Sequence, residues 1–237
     1  MRLDEEIVNR GLLNSRNKAK ELIKSQNVKV NGKIVTKPSF RVEKSDNIEI
    51  LQDKVYVSRA AYKLKNYLDK YGIDFNNRLV LDIGSSTGGF SEVCLEKGAK
   101  VVGVDVGNNQ LHESLRDRME IYENTDIRDF TYNKKFDIIV SDVSFISLLK
   151  IIEKIDTLMN KGDIILLFKP QFEVGKDVKR DKRGVVLDKE AIQKARKNFE
   201  KETQKLGWKL LRTEESSIKG KEGNIEYIYH FKKENND

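Results

Sequence analysis

A single cysteine, Cys94, leaves this 237-residue chain without an internal disulfide framework. Two histidines, His112 and His230, are too few to build a His/Cys metal site with it. No apolar run approaches the roughly 18 residues that a membrane helix needs. The opening MRLDEEIVNRG is too charged for a secretory leader. Nor is there an excess of acid: 45 Lys and Arg face 38 Asp and Glu, a net charge of +7. These absences exclude a disulfide-stapled secreted scaffold and a helical membrane protein. They suit a cytoplasmic protein with a polyanionic partner.

What is present falls into two segments. Residues 1–57 carry 12 Lys and Arg against 8 Asp and Glu, more than half of the excess charge in a quarter of the chain. Leu3, Ile7 and Val8 predict a short helix with acids in its first turn, stopped at Gly11. Ser15 is an N-cap candidate for a second helix with Ala19, Leu22 and Ile23 on its apolar face. Arg16, Lys20 and Lys24 recur every four residues and share another face. VKVNGKIV predicts a hairpin turning at Asn31-Gly32, and RVEKSDNIEI a further strand.

From Ser58 the pattern changes. SRAAYKLKNYLDKYG predicts a helix, after which strand and helix patterns alternate: RLVLDIG, TGGFSEVCLEKG, KVVGVDVG, MEIYEN, FDIIVSDVSF, SLLKIIEKIDTLM, DIILLFKP, DKEAIQKARKNFEKETQKLG. WKLLRTEES and IEYIYHFKK close the chain as strands. Such alternation predicts an α/β doubly wound sheet, mostly parallel, over residues 58–237. The strand Ile164–Phe168 ends on Lys169-Pro170. A cation closing a buried strand is costly unless it is paired or used, and the carboxyl edge of an open α/β sheet is where ligands bind.

The loop LDIGSSTGGF joins a strand to a helix and carries Gly84, Gly88 and Gly89, where backbone can approach a ligand. It lacks the Gly-Lys-Ser/Thr of a P-loop, and Ser86 stands where a dinucleotide fingerprint has glycine. Asp105 ends the next strand, placed to hydrogen-bond a ribose. This combination resembles the S-adenosylmethionine loop of the Rossmann-like class I methyltransferases. The resemblance implies a seven-stranded sheet. It assigns Asp82, Gly84, Ser86, Thr87, Gly88, Gly89, Phe90, Asp105, Asp126 and Asp142 to the cofactor.

Amino-group methylation of bases usually shows Asn/Asp-Pro-Pro-Tyr/Phe after the fourth strand; this chain has SDVSF. Pyrimidine C5 methylation needs a cysteine at a strand end, whereas Cys94 lies within a helix and reads as core. Lysines and acids remain: Asp142 after the fourth strand, Lys169 after the fifth, Lys63 on the preceding helix and Glu226 opening the last strand. A ribose 2′-hydroxyl must be oriented and lose its proton to attack a methyl group, and a desolvated lysine beside another cation can take it.

Lys63, Asp142, Lys169 and Glu226 match the Lys-Asp-Lys-Glu tetrad of the FtsJ-like ribose 2′-O-methyltransferases. Residues 1–57, with Arg2-Leu3-Asp4, Arg10-Gly11, Ser15-Arg16 and Val28–Gly32, look like an S4 RNA-binding domain. That likeness implies Arg2, Arg10, Arg16, Lys20, Lys24 and, in the join, Arg59 as RNA contacts. With DKVYVSRAAYKL, VDVG, SDVSFISL, KPQFEVGK, RGVV and EGNIEY, the whole chain resembles the TlyA (haemolysin A-like) rRNA methyltransferases. The absence of an extension before the S4-like part suits their shorter form. Ala60, where glycine is frequent, and KEGNIEY, in place of a more proline-rich version, depart from that pattern without touching the tetrad.

The resemblance implies cytidine 2′-O-methylation of ribosomal RNA, chiefly of the large subunit, by a monomer that needs no metal. Lys176, Lys179, Arg180, Lys182 and Arg183 form a basic loop expected to be mobile, either clamping RNA near the site or simply solvated. The competing readings are a non-catalytic RNA-binding protein and a pore-forming haemolysin, the latter without a membrane-length or strongly amphipathic segment to support it.

Overall fold

The computed structural model describes residues 1–52 and 54–235. The chain divides into two compact units, Met1–Arg59 and Ala60–Asp237.

In the first unit, α1 (Leu3–Asn9) and α2 (Arg16–Lys24) pack together, followed by β1 (Val28–Val30), β2 (Lys33–Ile34) and β3 (Ile48–Ile50) in the antiparallel order β2-β1-β3. Ser15 caps α2 by accepting from the Lys18 amide. Asn31 and Gly32 both take positive φ (49° and 78°), which sets the tight hairpin. Leu3, Ile7, Ala19, Leu22, Ile23, Val28 and Val30 form its core. The strand expected over RVEKSDNIEI is confined to Ile48–Ile50, with Arg41 adding one bridge to Arg2.

The second unit opens with α3 (Ala60–Tyr71), then β4 (Leu79–Ile83), α4 (Gly89–Glu96), β5 (Lys100–Val104), α5 (Glu113–Arg116), β6 (Glu120–Tyr122) and β7 (Ile138–Ser141). After a 3₁₀ turn at Leu148–Lys150 come α6 (Ile152–Thr157), β8 (Gly162–Phe168), α7 (Pro170–Glu173), α8 (Lys189–Lys205), β9 (Lys209–Glu215) and β10 (Tyr227–Lys233). The seven strands lie in the order β6-β5-β4-β7-β8-β10-β9. The first five of that order are mutually parallel, and β10 runs antiparallel to both neighbours.

Ile138–Val140 and Ile164–Phe168 are buried throughout, as strands covered on both faces require. Phe199 of α8 packs on Phe168, Tyr229 and Phe231 with ring centroids 5.5, 5.1 and 5.8 Å away. The single helix expected over SLLKIIEKIDTLM is two pieces. Ser147 caps the 3₁₀ turn, and Glu173 accepts from both the Ser147 hydroxyl (2.6 Å) and the Leu148 amide (2.8 Å), which ties this turn to α7 as well as to α6. The strand order reverses beside β4, so the crevice at the carboxyl ends of β4, β5 and β7 is the place for a ligand.

Candidate active site

β4 runs directly into the glycine turn. Gly84 has φ +75°, and a Cβ there would stand 3.0 Å from Val143 Cγ1. Gly88 has φ +97° and caps α4; a Cβ would meet Leu115 Cδ1 at 2.4 Å. Both positions therefore need glycine, for backbone angle and for space. Asp105, just past β5, closes the turn: one carboxylate oxygen accepts from the Ser86 amide (2.8 Å), the other from the Gly107 amide (2.7 Å).

These groups open onto a cleft of about 520 Å³. Gly84, Ser86, Asp105, Asp126 and Asp142 line it, with Val106, Ile127, Val143 and Phe145 as apolar wall. That volume lies in the usual range for a small-ligand site. The donor set fits S-adenosylmethionine. A carboxylate has about four acceptor positions, so Asp105 keeps about two for a ribose diol after binding its two amides. Asp105→Ala is expected to weaken cofactor binding about 10–100-fold, the worth of hydrogen bonds to a charged group, measured by titration calorimetry.

Asp126 lines the cleft with its carboxylate engaged by Arg128 (2.6 and 3.0 Å), which together with the Arg128 amide holds its pKa down at about 2. The other expected cofactor contacts lie behind the turn. Thr87, Gly89 and Phe90 do not line the cleft; Phe90 is core, Gly89 starts α4, and Thr87 accepts from the His112 amide.

Asp82 is fully buried beneath the turn, where one oxygen accepts from Ser91 Oγ (2.6 Å) and Oδ1 has no hydrogen-bond partner. Burial lifts its carboxyl to about 7, opposed by Ser91 and reinforced by the charges of Asp142 and Asp105. The unfolded chain releases this proton near 3.8 and the folded chain near 7. The folded state binds more protons in between, so this group's contribution to stability falls as pH rises across that window. Asp82→Asn should shrink the difference in unfolding free energy between pH 5 and pH 8 by about 2–3 kcal/mol in urea titrations.

Two buried ion pairs stand at the same edge of the sheet. Lys169, 7 % exposed, follows β8 and places Nζ 2.5 Å from Asp142 Oδ1 and 2.9 Å from Ser144 Oγ, to which it donates. Lys63 on α3 donates to Glu226 Oε2 at 2.6 Å, with both side chains buried. Tyr227 of β10 pairs with Phe168 of β8, so one residue further Glu226 leaves the sheet beside Lys169. Gln171 Nε2 donates to the other oxygen of Glu226 (3.3 Å). Charges this deep persist because each has a partner of opposite sign.

Sequence reasoning missed Ser144, Gln171 and Phe145. Phe145 is 91 % exposed with φ 65°, a rare angle for a bulky residue, and its ring tilts against Phe172 at 5.2 Å between centroids. The basic loop is a folded turn. Arg180 donates to the carbonyls of Gln171 (3.0 Å) and Gly175 (2.5 Å), and the buried Asn224 side chain accepts from the Val186 amide (3.0 Å).

In the first unit, Asp4 is wholly buried and accepts from Arg2 (3.0 Å) and Arg16 (2.8 Å). Burial would raise its pKa, but those two guanidinium groups outweigh burial and hold it below the ordinary carboxylate range. Arg10 braces α1 by donating to Glu6 (2.8 Å) and to the carbonyls of Asp46, Glu43 and Lys44. Arg2, Arg10 and Arg16 thus hold the fold. Lys20 is half-buried, Lys24 is exposed and pairs loosely with Glu21 (3.4 Å), and Arg59, half-buried, ends the unit.

A doubly wound sheet whose first strand enters a left-handed glycine turn, closed by an acid from the next strand, defines a class I methyltransferase with S-adenosylmethionine as methyl donor. The chain matches the model of the FtsJ-like methyltransferases over residues 56–233 and that of the S4 domain over residues 1–48. It is 52 % identical to the 23S rRNA (cytidine-2′-O)-methyltransferase TlyA of Campylobacter jejuni over 92 % of this chain and 94 % of that protein. It is 40 % identical to Hemolysin A of Brachyspira hyodysenteriae over 98 % of this chain and 99 % of that one. A solved structure described as a hemolysin from Streptococcus thermophilus superposes with a TM-score of 0.72 at 31 % identity, covering 99 % of this chain and 88 % of its own. The chain belongs to the FtsJ-like methyltransferase family, in its S4-bearing TlyA (haemolysin A-like) branch.

Proposed function

We propose that this protein methylates the ribose 2′-hydroxyl of a cytidine in 23S ribosomal RNA, in the cytoplasm. The observation that carries the reading is the pair of buried Lys–acid contacts, Lys169–Asp142 and Lys63–Glu226, at the carboxyl edge of the sheet, with Asp142 lining the cofactor cleft. The identity and full-length coverage shared with the Campylobacter enzyme support the substrate.

S-adenosylmethionine supplies an electrophilic methyl group. Asp105 would hold the cofactor's ribose diol and Asp126 its adenine end, while the turn at Gly84, which carries no side chain, would leave room for its amino-acid end. Lys169 first gives one ammonium proton to solvent, and its neutral Nζ, kept at one position by Asp142 and Ser144, then receives the proton of the 2′-hydroxyl. Lys63 and Glu226 hold the ribose for in-line attack, and Gln171 steadies Glu226. Such alignment can account for several powers of ten in rate. Phe145, exposed at the mouth of the cleft, offers a ring on which the target base can stack.

Arg59 and the exposed Lys24 join Lys176, Lys179 and Lys182 of the basic turn as phosphate contacts that position the RNA. No helix among the described residues is long and apolar enough to cross a membrane, and the haemolysin reading gains no support from one. The test is incorporation of labelled methyl groups into 16S and 23S RNA, and into each ribosomal subunit, from cells lacking the modification. Label in 23S RNA or the large subunit is expected. Label confined to 16S RNA would overturn the choice of subunit, and no label in any RNA would overturn the activity.

A further inference from the structure

α3 carries two polar side chains buried on one face: Lys63 and, one turn later, Tyr67. β10 and its entry present Glu226 and His230 on one face, since alternate strand residues point the same way. Lys63 meets Glu226, and Tyr67 meets His230: the Tyr67 hydroxyl lies 2.9 Å from Nδ1 of a ring only 2 % exposed. The opposite ring nitrogen, Nε2, lies 2.8 Å from Asp163 Oδ1, and Lys232 donates to the other oxygen of Asp163 (2.8 Å).

The direction of these bonds follows from what each group can do. An ionised Asp163 only accepts, so Nε2 carries the imidazole hydrogen and Nδ1 accepts from Tyr67. Burial pushes the Tyr67 hydroxyl up to about 12, so it stays protonated and donates. Asp163 stands at the amino-terminal start of β8, the strand end opposite Lys169. None of these three residues borders the cleft.

We propose that Asp163, His230 and Tyr67 form a positioning chain for the transfer, fixing the turn of α3 that carries Lys63 against the strand that presents Glu226. The proposal rests on the reading that Lys63 and Glu226 serve the reaction. Apolar packing alone holds a helix on a sheet but lets it slide, whereas a buried, fully paired polar chain has one register. The remaining contacts of α3 with β9 are more exposed: Lys70 and Tyr71 donate to Glu214, and Arg212 lies over the Tyr71 ring. A shift of about 1 Å at a reacting group costs about 10²-fold in rate, so this register matters more to turnover than to binding.

The test uses the full chain with Tyr67→Phe, Asp163→Asn and the pair. Tyr67→Phe keeps the ring and removes the donor. Asp163→Asn turns an amide N–H toward Nε2, moves the ring hydrogen to Nδ1 and deprives Tyr67 of its acceptor. Each single variant is expected to lower kcat about 10–100-fold, with KM for RNA and Kd for S-adenosylmethionine within about twofold. The pair should be no worse than the worse single variant, because both break one chain. Unchanged kcat with only a lower Tm would overturn the proposal, as would losses that multiply. If Asp163→Asn does not fold, Tyr67→Phe decides by the same kcat criterion. Lys63→Met is the control: its full activity would overturn the reading beneath the proposal, whereas its inactivity beside an active Tyr67→Phe would reject the positioning chain alone.

Discussion

Lys169→Arg is expected to lower the rate of methyl transfer by about 10²–10⁴-fold, the usual worth of a positioned general base. Arginine keeps the positive charge that faces Asp142 and Ser144 at the end of β8. It does not give up its proton in a protein, so it cannot receive the one on the 2′-hydroxyl. Lys169→Met should be equally inactive while sparing the volume of the lysine stem. Neither residue change touches Asp105 or the glycine turn, so the Kd for S-adenosylmethionine should stay within about threefold. Single-turnover assays with saturating RNA, alongside calorimetry, separate the two effects. Wild-type transfer by Lys169→Arg would assign the proton to another group.

The second large effect is on stability. The Lys63 and Glu226 side chains keep only 8 % and 2 % of their exposure. Glu226→Ala strands the Lys63 ammonium inside the protein, and breaking one partner of a buried pair typically costs about 3–5 kcal/mol. Replacing both at once with apolar residues of similar volume is often neutral. Glu226→Ala should therefore lower the unfolding free energy by about that amount in urea titrations, and Lys63→Met with Glu226→Leu should regain most of it. Both variants should be inactive. A Glu226→Ala protein as stable as wild type would mean that Lys63 finds water or another acceptor, which is incompatible with a closed pair.

The legible parts of this molecule were local. The glycine turn, Asp105 at the end of the next strand and the apolar run into Lys169 are each contained in about ten residues, where strand and helix periodicities place a side chain on an edge. The sheet followed from alternation, and its order and antiparallel β10 agree with the class I pattern. What escaped is what depends on distant partners. Arg16 read as part of a basic face with Lys20 and Lys24, and Arg2 and Arg10 entered only through the S4 likeness, because nothing local reveals that Asp4, Glu6 and the 43–46 turn engage all three guanidinium groups. The Tyr67–His230 contact joins residues 163 positions apart. His230 accordingly read as an ordinary strand residue. Phe145 fell at the end of the expected strand FDIIVSDVSF, but that strand stops at Ser141, and Phe145 takes a positive φ with its ring exposed.

The central claim is that the methyl group goes to a ribose oxygen, through Lys169. The most direct measurement is mass spectrometry of nucleosides from 23S RNA lacking the modification, after incubation with S-adenosylmethionine and either the wild-type protein or Lys169→Arg. The account predicts 2′-O-methylcytidine from the wild type and none from the variant. A cytidine methylated on its base, or an equal yield of 2′-O-methylcytidine from Lys169→Arg, would contradict it.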